Sequence, residues 1–200
     1  MSDDYGPWSP LGIPQLSELF AGAPFPWWVT GGVALELYTG RSWRDHDDID
    51  VGIRRIDAGA VHRHLRRFHL CVAASGRLRP WDGRPLDPAA QENNVWMADG
   101  PGGPWLLDMA VGEGDDTRWV YRRAPTVTLP WAEAVLMTPE GVPYLAPQVQ
   151  LLFKAKGLRP KDDVDARVVI PLLGEDRRRW LVRHLPAGHP WLGLGGPASG

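Results

Sequence analysis

The chain has 200 residues, enough for one domain with a sizeable core or for a medium domain with a small appendage. Its apolar share of 44% is ordinary for a globular protein, and its formal net charge of −2 argues against a general nucleic-acid binder. The single cysteine, Cys71, excludes an internal disulfide framework and a cysteine zinc site. No apolar run reaches transmembrane length and the N-terminus lacks signal-peptide regions, so we expect a cytoplasmic protein without a membrane partner.

The first predicted elements are a helix, a strand and a second helix. Apolar residues share one face of a helix over 15–21, and Trp27–Val29 is an apolar run typical of a strand. That strand ends at the pair Gly31-Gly32. A short helical pattern follows and ends at Gly40, a residue type common at helix C-termini. The segment therefore predicts a strand, a glycine turn and a helix.

An acidic pair marks the next strand, predicted over 48–53. Alternation places Asp48 and Asp50 on one face and three apolar side chains on the other. The two carboxylates are then about 6–7 Å apart along the strand. Because like charges repel at this distance, the pair favours a cation between them. Hard oxygen ligands indicate Mg²⁺ or Mn²⁺.

A third acid lies in a later strand. The pattern predicts a helix over 57–70, a short strand over 70–74, a loop over 75–94, and strands over 95–98 and 105–111. In the last of these, Asp108 lies on the face opposite to Trp105, Leu107 and Met109. An unpaired acid is expensive to bury in so apolar a strand. Asp108 therefore either pairs with a nearby arginine or joins Asp48 and Asp50 as a third functional carboxylate.

The rest of the chain divides near residue 146. Strands are predicted over 119–122 and 126–129, and a hairpin joins 135–137 to 142–145. Helices are then predicted over 147–155, 161–173 and 175–185, with a loose tail from 189 to 200. The turn after the Asp108 strand contains Glu113, Asp115 and Asp116, which we interpret as a solvated loop or as contacts for a cationic acceptor.

The lysines are concentrated in the predicted C-terminal helices. Of 22 Lys and Arg residues, only Lys154, Lys156 and Lys161 are lysines, and they fall within eight residues. A compact ammonium group is suited to a phosphate site, whereas the alternative is chance clustering on a solvated face. Lys154 and Lys156 are about 200° apart on a helix, so at most one of them is expected to reach a given ligand.

These motifs resemble a known superfamily. The strand, Gly-Gly turn, helix and Asp-x-Asp strand resemble the signature of the DNA polymerase β-like nucleotidyltransferases. The string GRSWRDHDDIDV, Gly40 to Val51, is similar to the aminoglycoside and lincosamide nucleotidyltransferases, and the run from Phe153 to Asp165 resembles the motif of their helical part. The resemblance implies an α+β fold, with a mixed-sheet nucleotidyltransferase domain over 1–145 and a small C-terminal helical part over 146–200 that completes the nucleotide cleft.

The implied activity is that of an enzyme, a nucleotidyltransferase. It transfers a nucleoside monophosphate from an NTP to a hydroxyl of a small molecule, of the antibiotic-modifying type or a housekeeping relative, with bound Mg²⁺ or Mn²⁺. The partners expected are thus an NTP and a small-molecule acceptor, and the preferred NTP, the acceptor and the oligomeric state are open. Two alternatives are a nucleotidyltransferase acting on a protein or RNA, as in toxin–antitoxin pairs, and a catalytically inactive binding module.

A working hypothesis gives each candidate residue a role. The acid pair holds the metal, and the third acid is either the base that takes the acceptor's proton or a further metal ligand. Backbone N–H groups at the glycine pair cradle phosphate. Arg44 and His46 either contact phosphate or order the loop before the acid pair, while Lys154 and Lys161 neutralise the leaving pyrophosphate. The predicted site comprises Asp48, Asp50 and Asp108 for metal and catalysis, and Gly31, Gly32, Arg44, His46, Lys154 and Lys161 for the nucleotide.

Overall fold

A computed structural model of the chain describes residues 6–194. The α-helices are α1 (Ile13–Leu19), α2 (Gly31–Thr39), α3 (Ala58–His64), α4 (Trp131–Ala134), α5 (Pro147–Ala155), α6 (Pro160–Val169) and α7 (Glu175–His184). The strands are β1 (Trp27–Val29), β2 (Val51–Arg54), β3 (His69–Ala74), β4 (Arg77–Pro80), β5 (Asn94–Ala98), β6 (Trp105–Gly114), β7 (Arg118–Val120), β8 (Thr128–Pro130), β9 (Val135–Met137) and β10 (Pro143–Leu145). Short 3-10 turns occur at Arg55–Asp57, Ile170–Leu172 and Pro190–Gly193.

The strands form one mixed sheet. Its order is β4-β3-β5-β6-β2-β1-β10-β9, and β7 and β8 extend it beyond the end of β6. β2 is parallel to β6 and β1 is parallel to β10, while the other neighbours are antiparallel. Helices α5, α6 and α7 follow β10. This architecture confirms the expected α+β fold with C-terminal helices.

The long strand β6 has a different environment on each face. Leu107, Met109 and Val111 are buried on the face that packs against Leu16 of α1 and Val61 of α3. The intervening positions, including Asp108, are half-buried on the other face. A second apolar cluster joins β1 and β10 to the C-terminal helices. The alternation predicted for this strand is therefore confirmed, and it aims Asp108 away from the core.

One unpredicted strand is explained by its turn. The segment 75–94 was expected to be loop, yet β4 pairs with β3 from Ala74↔Arg77 to Cys71↔Pro80. Between them Ser75 and Gly76 have φ of 51° and 70°. Positive φ at both central residues defines the tight turn that suits a two-residue hairpin. The Ser-Gly pair was thus the signal for a hairpin in a segment that its Pro, Gly and Asp content made look irregular.

Several other boundaries differ from the prediction. The helix predicted over 57–70 ends at His64, and β2 begins at Val51, so Asp48 and Asp50 lie just before the strand. α6 ends at Val169 in a 3-10 turn, where Pro171 has no backbone N–H to donate. α4 was not predicted.

The chain remains ordered beyond residue 189, where a loose tail was expected. Trp191 is 1% exposed and its Nε1 donates a 2.6 Å hydrogen bond to Asp163 Oδ1. Residues 195–200 of the predicted tail lie outside the described residues. Within residues 6–194, no helix is long and apolar enough to cross a membrane.

Candidate active site

Two of the predicted acids occupy equivalent positions on neighbouring chain segments. The parallel pairing of β2 with β6 sets Gly52 opposite Ala110. Asp50 and Asp108 each precede this pair by two residues. Neighbouring strands are about 4.8 Å apart, so the two carboxyl groups belong to one region of the sheet surface. Both line, together with Asp48, a cleft of about 820 Å³.

The environment of Asp50 disfavours its negative charge. Burial, followed by the nearby carboxylates of Asp108 and Asp48, raises the pKa of Asp50 to about 7, against the opposing effect of Lys154 and Lys161. The causes of this shift show that the acids interact electrostatically and that the lysine segment lies close enough to act on them. The site therefore favours a bound cation.

Asp108 has a hydrogen-bonding partner on β5. Asn94 Nδ2 donates to Asp108 Oδ1 over 2.8 Å. Burial raises the pKa of Asp108 to about 6, the Asn94 hydrogen bond acts to lower it, and the charge of Asp48 acts to raise it. The arginine pairing considered from the sequence is thus replaced by a neutral amide. An amide orients the carboxylate without cancelling its charge, which leaves Asp108 able to accept a proton.

The glycine pair lets a loop pack against the start of α2. Gly31 has a φ of +73°, and a β-carbon there would lie 2.7 Å from Asp50 Oδ2. A β-carbon at Gly32 would overlap Arg44 Nη2 and the His46 ring. Only glycine tolerates these approaches. The pair therefore makes room for the acid and for the basic loop at the positive end of a helix.

The predicted phosphate cradle at this turn needs revision. The Gly31 N–H donates to Gln150 Oε1 over 2.9 Å, and the Thr30 hydroxyl donates to the same oxygen over 2.7 Å. The Gly31 N–H is thus already occupied by a side chain of α5. Gln150, which sequence reasoning missed, couples this turn to the C-terminal helices.

Arg44 orders its loop through an ion pair with α6. Its Nε and Nη2 donate to Asp165 Oδ1 and Oδ2 over 2.9 and 3.0 Å, a bidentate arrangement. Its Nη1 lies 3.1 Å from His46 Nδ1, and His46 Nε2 lies 3.0 Å from Glu36 Oε1. Of the two roles left open for Arg44 and His46, ordering the loop is the one these contacts support, and a nucleotide contact stays a prediction.

The lysines differ strongly from one another. Lys154 is 6% exposed, and its Nζ lies 2.9 Å from both Asp162 Oδ1 and Asp165 Oδ2. Lys161, the second residue of α6, is exposed and lines the cleft. Because two buried carboxylates neutralise Lys154, its predicted direct contact with phosphate would require this network to open. Lys161 is the better placed of the two for a nucleotide.

The acidic turn after β6 does not supply the cleft with acids. Glu113 accepts from Arg55 Nε over 2.9 Å, and Asp115 accepts from the backbone N–H of Thr117 over 2.7 Å. Asp116 lies 3.5 Å from Arg54 Nη1. None of the three lines the cleft. The solvated or structural role considered from the sequence is the one observed, whereas contacts to a cationic acceptor are not provided by this turn.

The donor set at the acid pair fits a hard cation by its chemistry. Asp48 and Asp50 offer carboxylate oxygens, and the pKa of Asp50 is raised by burial first and then by the charges of Asp108 and Asp48. In residues 6–194, however, no three His, Cys, Asp or Glu side chains are arranged closely enough to hold a metal ion. The three acids share a cleft without forming a preformed three-ligand site, so the metal assignment of Asp48, Asp50 and Asp108 stays a prediction.

Sequence reasoning also missed the far wall of the cleft. Arg122 and Arg123 line it beyond β7. Trp28 forms part of its floor, and a β-carbon at Gly52 would overlap the Trp28 indole. None of these residues belongs to a recognisable local motif, so no signal in the sequence pointed to them.

Comparison with known proteins relates the N-terminal part of this chain to one family. Residues 13–80 match the family model described as aminoglycoside-2''-adenylyltransferase. No curated protein matches the chain. The match covers about a third of the chain and agrees with the resemblance to aminoglycoside and lincosamide nucleotidyltransferases found in the sequence.

Three solved structures share the fold of this chain at low sequence identity. The crystal structure of ANT(2'')-Ia in complex with adenylyl-2''-tobramycin is 14% identical and covers 86% of this chain and 95% of that one, with a TM-score of 0.55. A solution structure of ANT(2'')-Ia is 18% identical, covering 84% and 88%, with a TM-score of 0.55. The lincomycin-bound crystal structure of the lincosamide adenylyltransferase LnuA is 17% identical, covering 80% and 95%, with a TM-score of 0.50.

Proposed function

We propose that this chain transfers a nucleoside monophosphate from an NTP to a hydroxyl group of a small molecule. The observation that supports this most directly is the position of Asp50 and Asp108, each just before the paired residues of β2 and β6, in a cleft that Lys161 also lines. One acid is suited to hold a metal and the other to accept a proton, while an exposed lysine neutralises phosphate.

In the proposed reaction the acceptor oxygen forms a bond to the α-phosphorus of the NTP. The bond from that phosphorus to the bridging oxygen breaks, and pyrophosphate leaves with the electron pair. The hydroxyl proton goes to the carboxylate of Asp108, which Asn94 orients. With a pKa of about 6, Asp108 is ionised in most molecules at neutral pH and is close to the best pKa for a base there.

Asp48 and Asp50 are the residues that would hold Mg²⁺ or Mn²⁺. When bound, the ion supplies positive charge to the phosphate oxygens. Asp50 would lose its proton on metal binding, since burial and then the charges of Asp108 and Asp48 raise its pKa, and a bound cation would stabilise its ionised form. Lys161 would contact the triphosphate from α6.

Two of the solved structures suggest which acceptors to test first. ANT(2'')-Ia was solved with an adenylylated tobramycin and LnuA with lincomycin. Aminoglycosides and lincosamides are therefore the first acceptors to test, together with hydroxyl compounds from cell extract.

The test is pyrophosphate release with four NTPs, Mg²⁺ and this acceptor panel, combined with calorimetric titration of NTP with and without Mg²⁺. We expect Mg²⁺-dependent NTP binding and release with at least one acceptor. Mg²⁺-dependent binding without release from any small molecule would favour a protein or RNA acceptor. Absence of NTP binding would contradict the proposal and favour an inactive module.

A further inference from the structure

The cleft continues past the acids on the side away from α2. The Thr30 N–H donates to the Asp50 carbonyl over 2.9 Å, so the start of α2 lies at the Asp50 end. At the other end β7 pairs with β6 through Val120↔Glu113. Because this pairing is antiparallel, the chain after Val120 runs back along β6 towards Asp108. The acids therefore lie between the start of α2 and the segment that follows β7. The β7 side of the cleft is thus the side available to the acceptor.

Two adjacent arginines line this acceptor side. Arg123 Nη1 donates to the Phe153 carbonyl over 2.9 Å and to the Tyr121 hydroxyl over 3.3 Å. The Arg122 guanidinium lies 5.5 Å from the centre of the Phe153 ring. Within residues 6–194, neither arginine forms an ion pair with a carboxylate. Partial burial and then the charge of Arg123 lower the pKa of Arg122, which is the effect an anion would relieve.

Most acids of the cleft belong to the acidic centre or are paired with a cation. Of the five that line it, three form the acidic centre and Asp162 is paired with Lys154 and Arg159. Only Asp47 is left, and it is exposed. The acidic turn after β6 pairs with arginines or with its own backbone, as described above. A polycationic acceptor would thus meet two unneutralised arginines and few carboxylates.

We infer that the acceptor carries an anionic group, a carboxylate or a phosphate, beside its reacting hydroxyl, and that Arg122 and Arg123 bind this group. The inference rests on the proposed function and specifies the class of its acceptor. Guanidinium groups pair with carboxylate and phosphate oxygens in a planar, charge-assisted geometry. Phe153 provides an apolar surface beside them, so a compact acceptor with one ring and one anionic substituent fits this side of the cleft.

The test compares four sugars that share one six-carbon pyranose skeleton and differ in charge: glucose 6-phosphate, glucuronate, glucose and glucosamine. Each is titrated into the protein saturated with Mg²⁺ and a non-hydrolysable ATP analogue, so that the nucleotide site is filled. We expect the two anions to bind roughly tenfold tighter or more than glucose and glucosamine, since a charge-assisted contact contributes about that factor.

Reversing the charge of Arg122 tests directly whether this arginine binds the anionic group. Arg122→Glu should weaken binding of both anions by about tenfold or more while leaving the affinity for the ATP analogue unchanged. Arg118→Glu is the matched control, because Arg118 is an exposed arginine of the same β7 segment that does not line the cleft. We expect Arg118→Glu to retain the preference for anions.

Four outcomes would overturn the inference. They are tighter binding of glucosamine than of the anions, no difference among the four sugars, an unchanged preference in Arg122→Glu, or loss of ATP-analogue binding in that variant. Efficient pyrophosphate release with tobramycin would also overturn it while supporting the proposed function. Failure to bind the ATP analogue with Mg²⁺ would instead contradict the proposed function, so the two failures are distinguishable.

Discussion

Asp108 and Asp50 face the same cleft but have different partners. Asp108 is held by Asn94 on β5, whereas the Asp50 side chain forms no hydrogen bond or ion pair with another described side chain and lies against Gly31. An oriented carboxylate suits proton transfer, and a carboxylate without a neutralising partner suits a cation. The two acids are therefore separable by substitution.

We expect Asp108→Asn to lower kcat by about 10²–10⁴, since it removes the base and leaves the Asn94 contact possible. NTP affinity, measured by calorimetry, should change little. Turnover is measured by pyrophosphate release with the acceptor found in the screen. Asp99→Asn, an exposed acid in the turn after β5, is the control. Turnover of Asp108→Asn within tenfold of the wild type would contradict the assignment.

Asp50 should make the stability of the metal-free protein depend on pH. Its pKa is about 7 when folded, against an ordinary value of 3.8, so folding takes up a proton between these values. The carboxyl group therefore lowers the free energy of unfolding as the pH rises from about 4 through 7.

Asp50→Asn should remove this effect. We expect the metal-free variant to exceed the wild type in stability at pH 8, by at most roughly 4 kcal/mol, and to match it near pH 4. Urea unfolding at both pH values measures the difference, with the exposed Asp45→Asn as control. Mg²⁺ should stabilise the wild type at pH 8 but not Asp50→Asn. Equal responses of the two proteins to Mg²⁺ would rule out Asp50 as a ligand.

At the scale of elements, a buried ion network joins the loop before β2 to α5 and α6. Asp165 is fully buried and accepts hydrogen bonds from Trp43 Nε1 over 3.0 Å, from Arg44 Nε over 2.9 Å and from Lys154 Nζ at 2.9 Å. These contacts hold the pKa of Asp165 below its usual range although burial acts to raise it. Breaking such a network leaves uncompensated buried charges, so the network fixes the position of α6 relative to the acid loop.

We therefore expect Asp165→Asn to destabilise the fold by about 3–5 kcal/mol, because two buried cations lose their shared carboxylate. Thermal or urea unfolding measures the loss. Asp163→Asn provides a comparison on the same helix, since Asp163 is 40% exposed, its ion pair with Arg167 is long at 3.6 Å, and the amide oxygen of Asn can still accept the hydrogen bond from Trp191 Nε1. A loss below 1 kcal/mol in Asp165→Asn would show that the network contributes little.

The two lysines should respond differently to substitution. Lys154→Ala should mainly destabilise the fold, because it leaves Asp162 and Asp165 without a shared cation. Lys161→Ala should retain stability and weaken NTP binding by roughly 1–3 kcal/mol. Calorimetry and urea unfolding on both variants separate the effects. Unchanged NTP affinity in Lys161→Ala would favour the alternative considered from the sequence, in which this lysine belongs to a solvated helix face.

At the scale of the whole molecule, one apolar cluster spans the predicted domain boundary. It contains Val29 of β1 and Leu145 of β10 together with Leu151 of α5 and Leu181 of α7. The boundary between 145 and 146 thus lies inside a shared core. Burial of this surface contributes to the stability of both parts, so we propose that 1–145 and 146–200 form one cooperative unit.

We expect the full chain to unfold in a single transition. Far-UV circular dichroism and tryptophan fluorescence should both report this same transition. A fragment of residues 1–145 should fail to fold cooperatively, since it would expose the apolar faces of β1 and β10. Two separated transitions in the full chain, or cooperative unfolding of the fragment, would establish two independent domains.

The sequence by itself determined the local features. Alternation in 105–111 was enough to set Asp108 opposite to Leu107 and Met109, because side chains in a strand alternate with a period of two wherever the strand lies. The Gly31-Gly32 turn, the acid pair and the lysine cluster were likewise visible as patterns within a few residues. The signal for the hairpin at Ser75-Gly76 is also local, but the Pro, Gly and Asp content of the segment that follows favours a loop.

The tertiary structure decided which of these features meet. Asp165 lies 121 residues from Arg44, and Gln150 lies 119 residues from Gly31, yet these contacts define the roles of both partners. Periodicity gives the face of an element but not its neighbour, which depends on strand register and on the packing of the whole core. The buried state of Lys154 and the arginine-lined acceptor side follow from that packing, and for this reason neither could be predicted from the chain alone.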